Sequence, residues 1–324
     1  MRNRAHRFTA PLERVAFAAL LVVLGGCLAH FAPFPPSAQS LELTGVPFFP
    51  QEAHQCGPAA LATVLANRGA PVTADSLVDE VYLPGREGSL QVEMIGAVRR
   101  HGFVPYPIEG RLDELIDEID HGRPVLVLQN LGVSWYPVWH YAVVIGYDVE
   151  RDEVVERSGA LERRREGRTV FMRTWARSAF WGFSVLAPGE LPAHEDPARL
   201  FHALAEMEAV GQRDVARAGY RSMAERWNAA DGFFGLGNLA LAAQDWRAAE
   251  NDYRAAIARA PTHVAARNNL AMALLGRGCA SDALDEANAA LALLAPEDPL
   301  IAVVTDTARQ AQARSASEPT NACR

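Results

Sequence analysis

The sequence predicts an α+β domain over residues 41–192, followed by an all-α domain that begins near Pro197. Three observations predict it. In the earlier region helical spacings come first and β-branched, apolar runs follow, which is the order of an α+β arrangement with a largely antiparallel sheet. Beyond residue 197 helical spacing continues without a strand pattern. There, bulky, small and helix-ending residues recur about every 34 positions. With 324 residues, 49% of them hydrophobic and 22% charged, the chain can supply a core to each of the two regions.

Composition excludes several functions. The net charge of −8 argues against nucleic acid as a partner. All 31 basic residues are arginine, so Schiff-base chemistry on lysine and a phosphate-cradling P-loop are ruled out. No HExxH or close histidine pair suggests a metal site, and no cofactor is expected. Four cysteines, Cys27, Cys56, Cys279 and Cys323, are too few and too scattered for a disulfide framework. One Cys279–Cys323 bond in an oxidising compartment is weighed against a disordered tail over 313–324.

Residues 1–27 read as an export signal. Arg2, Arg4, Arg7 and Arg14 supply a positive flank, and 15–24 is an apolar run too short for a membrane span. The run ends in Leu24-Gly25-Gly26-Cys27, which resembles the lipobox of bacterial lipoproteins. That resemblance implies lipidation at Cys27 and, with Leu28 rather than aspartate next, the outer membrane facing the periplasm. An uncleaved N-terminal anchor is the alternative. Residues 28–40, with Pro33, Pro35 and Pro36, read as an extended tether.

Residues 41–49 are a candidate strand leading into a loop. Cys56 then stands where the loop becomes a helix: Gly57 permits a sharp turn, Pro58 suits the first helical position, and Gly69 supplies the stop. Leu61, Val64 and Leu65 fall at helical spacing and bury that helix. A cysteine at a helix N-terminus is favoured as thiolate by unpaired N–H groups and the macrodipole. A buried structural cysteine is the other reading. Helices are predicted over 74–81 and over 89–100, the latter capped by Ser89 and stopped by Gly102. The segment 83–88 is an exposed loop. A strand at 103–108, a helix at 112–120 and a buried strand at 124–129 follow. After the loop 131–138 comes His140-Tyr-Ala-Val-Val-Ile-Gly-Tyr147, a strand with His140 near its start. Residues 153–156 return as a hairpin partner. The run 163–168 is a solvated loop, and 169–172 and 182–186 complete the sheet.

A cysteine on a helix N-terminus with His140 on a strand 84 residues later is the order of papain-like cysteine peptidases. Residues 51–65 (QEAHQCGPAALATVL) and 140–148 (HYAVVIGYD) resemble the peptidase domains that cut double-glycine leader peptides from bacteriocins, and more closely their stand-alone bacterial relatives. The resemblance covers about 150 residues. It implies Cys56 as nucleophile, His140 as base and Gln51 as oxyanion donor, with Gln55 close enough to compete. It implies a double-glycine cleavage site only weakly, because the transporter often fused to such domains is absent from this chain. The family places an aspartate on the strand after the histidine strand to orient the imidazole. Here that region reads Val155-Glu156-Arg157-Ser158-Gly159, so Ser158 best fits the spacing and Glu156 serves if the register slips. Asp148 reads as a turn residue.

The other histidines have bland readings: His54 in a solvated loop or at the site's edge, His101 and His121 at helix ends. Trp135, Tyr136 and Trp139 are either a substrate wall or core. From 197 to 312, three units place residues as tetratricopeptide repeats do. The clearest carries Phe233, Leu236, Gly237, Ala249, Tyr253, Ala256 and Pro261; its neighbours carry Leu270, Ala271, Ala283 and Ala290, and Leu204, Ala216, Tyr220 and Met223. Such arrays bind peptides or proteins. The expectation is therefore an exported, lipid-anchored cysteine peptidase with a partner-binding array. A peptidase fold that binds peptide without cutting it is the alternative.

Overall fold

The structure, a computed structural model, describes residues 31–51 and 55–316. The leader with Cys27, the loop residue His54, and Cys323 lie outside the described residues. The chain divides into two units, 1–34 and 35–324; of the first, only 31–34 are described, without regular secondary structure.

In the second unit β1 is Leu41–Glu42, far shorter than the strand expected over 41–49. Helix α1 (Cys56–Asn67) is buried on nearly every side, as an all-round apolar helix must be. Its Leu61, Val64 and Leu65 are fully buried in one core with Leu77, Met94, Leu126, Val143 and Ile145. Helix α2 (Ala74–Val81) starts with a reciprocal capping box between Thr73 and Ser76. Strands β2 (Tyr82–Leu83) and β3 (Gly88–Ser89) pair across a 3₁₀ turn at Pro84–Arg86. Ser89 is thus a strand residue, and helix α3 (Gln91–Arg100) begins after Leu90 with no side-chain cap, correcting the expected Ser89 cap. Strand β4 (Val104–Pro107) and helix α4 (Leu112–Asp120) follow.

The main sheet is antiparallel in the order β4-β9-β5-β6-β7-β8, with β5 at Val125–Asn130, β6 at Trp139–Asp148, β7 at Glu153–Ser158, β8 at Leu161–Gly167 and β9 at Gly182–Leu186; β1 adds to β6. Two expectations fail here. The arginine run is strand β8 rather than a solvated loop, because each arginine finds an acid: Arg163 pairs with Glu42, Arg164 with Glu166, and Arg165 with Asp148 and Glu153. Residues 169–172 belong to helix α5 (Arg168–Ala176) instead of a strand, since Phe171, Met172 and Trp175 bury one helical face.

Seven helices follow: α6 (Pro197–Ala209), α7 (Arg213–Arg226), α8 (Ala230–Ala242), α9 (Trp246–Arg259), α10 (Val264–Gly276), α11 (Ala280–Leu291) and α12 (Ile301–Ser315). Aromatic rings sit against glycines of the neighbouring helix: a Cβ on Gly235 would meet Tyr220, and one on Gly237 would meet Tyr253. The region is all-α, as expected. Cys279 is buried and disulfide-bonded. Among the described residues no helix is long and apolar enough to cross a membrane.

Candidate active site

Helix α1 delivers Cys56 to its own first position, and β6 delivers His140 near its start. Both line one cleft of about 750 Å³, together with Gln51, Ser89, Trp139 and Arg177. Gly57 is required at the turn into α1, because a Cβ there would stand 2.2 Å from the Ser89 hydroxyl oxygen. Gln51 reaches the cleft because its backbone N–H donates to the Gly159 carbonyl at 3.2 Å, in the turn between β7 and β8. Gln55 instead precedes α1, where its carbonyl accepts from the Ala59 N–H, and it does not line the cleft.

The imidazole of His140 is held from behind. Its Nε2 lies 2.8 Å from the Ser158 hydroxyl on β7. Glu156, two residues earlier, does not reach it. The Glu156 side chain is fully buried, and neither carboxyl oxygen has a hydrogen-bond partner. Asp148 lies at the far end of β6, bonded to Arg151 and Arg165, as its reading as a turn residue requires. With Nε2 turned to Ser158, Nδ1 is the nitrogen left for the cleft.

The electrostatics favour neutral resting groups. Burial pushes the Cys56 thiol above its ordinary value, although the backbone N–H groups of Tyr141, Gly57 and Cys56 oppose it by bonding the sulfur. Burial, then the nearby Arg164 charge, pull His140 down to about 4. Among the described residues no hydrogen bond joins Cys56 to His140. The thiolate expected from the helix terminus is therefore outweighed by desolvation of a half-buried sulfur.

Several lining residues carry no sequence signal. Arg177 follows α5 and donates to the carbonyls of Asn130 and Gly132, which fixes the hairpin 131–138 beside the cleft. That hairpin exposes Trp135 (85%) and Tyr136 (68%), and Trp139 beyond it is half exposed, so these rings are not core. His101 and His121 end α3 and α4, bonded to Glu80 and to the Asp117 carbonyl. Among the described residues no cluster of histidine, cysteine and carboxylate side chains is placed to hold a metal ion.

Residues 43–178 match the model of the Peptidase_C39 like family. Similar solved structures include a protein from Bacillus anthracis described as a C39-like peptidase, at 17% identity and TM-score 0.39, covering 46% of this chain and 98% of that one. Another is the peptidase domain of Streptococcus ComA, described as a bifunctional ABC transporter involved in a quorum sensing pathway, at 19% identity and TM-score 0.35, covering 44% of this chain and 98% of that one. No curated protein matches the chain.

Proposed function

We propose that the C39-like peptidase domain, matched over residues 43–178, hydrolyses a peptide bond through Cys56. One observation carries the reading: Cys56 at the start of α1 and His140 at the start of β6 open on the same cleft, with the imidazole braced on its far side by Ser158. When Nε2–H donates to the Ser158 oxygen, Nδ1 is free to take the thiol proton as sulfur attacks the scissile carbonyl. The same proton then goes to the leaving amine, and water admitted through His140 hydrolyses the thioester. The Gln51 side chain supports the oxyanion. Because both resting groups are neutral, proton transfer accompanies attack rather than preceding it.

The exposed aromatic hairpin forms one wall for an apolar stretch of substrate. The seven helices serve as a tetratricopeptide array that captures a protein substrate or partner, and Cys27 carries a lipid anchor after export to the outer membrane. Incubation with a peptide panel that includes double-glycine leaders, read by mass spectrometry, tests the reaction. Cleavage by the wild type should be lost in Cys56→Ala, by a factor of at least about 10³. Undiminished cleavage in that variant would overturn the assignment. Transfer of the acyl group to an amine instead of water would appear as a ligated product.

A second reading has its own observation. A serine stands where the relatives' orienting carboxylate is expected, so nothing anionic steadies an imidazolium. On that reading the cleft binds peptide without cutting it. Equal binding by wild type and Cys56→Ala, with no product from either, selects it.

A further inference from the structure

Behind His140 the face of the β7–β8 ribbon carries a short chain of polar contacts. Glu156 and Arg164 are cross-strand partners, so their side chains share that face. The Arg164 guanidinium lies 3.4 Å from the Ser158 hydroxyl and 3.7 Å from a Glu156 oxygen through the same nitrogen, Nη1, while Nη2 bonds Glu166 at 2.6 Å. One nitrogen thus stands between the hydroxyl that braces the imidazole and a fully buried carboxyl whose two oxygens have no hydrogen bond.

An arginine can only donate. Its N–H occupies one lone pair of the Ser158 oxygen, and the second lone pair remains for the Nε2–H of His140. The positive charge that orders this hydroxyl also opposes an imidazolium next to it. We infer that Arg164 is a positioning residue for His140, acting through Ser158, and that Glu156 is the counter-charge that sets how much of the guanidinium's charge the imidazole feels.

The groups around Glu156 allow this. The charges acting on it are Arg164 and Glu166 on β8. Beyond Ser158 on β6 lies His140. Of the helices against β7, α1 has no charged residue, and Arg168 of α5 is held by Asp152. Burial holds the Glu156 carboxyl protonated to about 8, against the pull of Arg164. Below that pH Glu166 alone balances Arg164; above it the new carboxylate on the Ser158 side draws the guanidinium and relieves the imidazole. The device strengthens His140 as a base on the alkaline side of neutrality.

This inference rests on the peptidase reading for its purpose but is tested without turnover. The His140 ring is titrated by NMR in the full chain, and the rate of Cys56 alkylation by iodoacetamide is followed against pH. Arg164→Gln should raise the His140 midpoint by about one pH unit, a tenfold change in its protonated fraction near neutrality. Arg164→Lys keeps the charge and should leave the midpoint near that of the wild type. Glu156→Gln should also leave it unchanged, because the wild-type carboxyl is already protonated there. It should yet remove the extra step in alkylation rate near pH 8 that follows the Glu156 titration, leaving only the smooth rise of the thiol's own ionisation. A His140 midpoint that ignores Arg164→Gln, or alkylation profiles that coincide for wild type and Glu156→Gln, would overturn the inference. An absence of peptide cleavage bears only on the peptidase reading.

Discussion

Glu156 and His140 sit on neighbouring strands and pull the stability of the fold in opposite senses as pH changes. Glu156 keeps its proton to about 8 in the folded chain and to an ordinary value near 4.5 in the unfolded one. Between those values the folded state holds more protons, so stability falls as pH rises. The sign for His140 is reversed. Its folded value near 4 lies below the ordinary 6.5, so stability is lost as pH falls between them. Glu156→Gln removes only the first effect. Relative to wild type, the variant should therefore gain about 1.4 kcal/mol of stability for each step of one in pH on the way from pH 5 to pH 8. Urea denaturation at the two ends of that range measures this, and an equal change at both would show that Glu156 does not titrate as described.

At the scale of the element, the helices were the most legible part of the chain and the charged strand the least. Helix α2 was expected over 74–81 and is found there, and the structure adds the reciprocal Thr73–Ser76 bonds that start it. Thr73→Ala should cost about 1 kcal/mol, read as a lower urea midpoint with an unchanged slope. Cys56, Gly57 and Pro58 likewise mark the start of α1, and the β-branched run of β5 marks a buried strand. Strand β8 was hidden because Glu42, the partner of Arg163, lies far upstream in sequence, and nothing local distinguishes paired arginines from solvated ones. Helix α5 was hidden by Thr169 and Val170, whose strand propensity is outweighed by the burial of Phe171, Met172 and Trp175. At the site, Cys56 and His140 stand out by residue type and context. Arg164 and Arg177 do not, since each acts through a neighbour that only the folded sheet supplies.

At the scale of the whole molecule, the edge strand β4 is not left open, for α6 covers it. Val104 and Tyr106 of the sheet share one core with Leu200, Leu204 and Met207 of the helices. Arg199 at the start of α6 reaches back to Glu109 and Glu114 and lies over the Tyr106 ring. Glu114 is only 2% exposed. Arg199→Ala leaves that carboxylate buried without its cation, and a loss of about 3 kcal/mol is expected from thermal or urea unfolding. The double variant with Glu114→Gln should recover most of it. Failure to recover would mean that the contact over Tyr106, rather than the charge, holds the two regions together.

The place of β9 has a consequence for how the protein is made. Among the described residues it is the last strand in sequence, yet it lies inside the sheet between β4 and β5. A ribosome releases the thiol of Cys56 early, and the Arg177 wall and β9 only after most of the domain has emerged. Until then β4 has no place beside β5, and its pairing waits for a contact between distant parts of the chain, the slow kind. Cys56 therefore travels through synthesis in an unfinished cleft, and the pocket it shares with His140 is complete only once the strand that closes the sheet has left the ribosome.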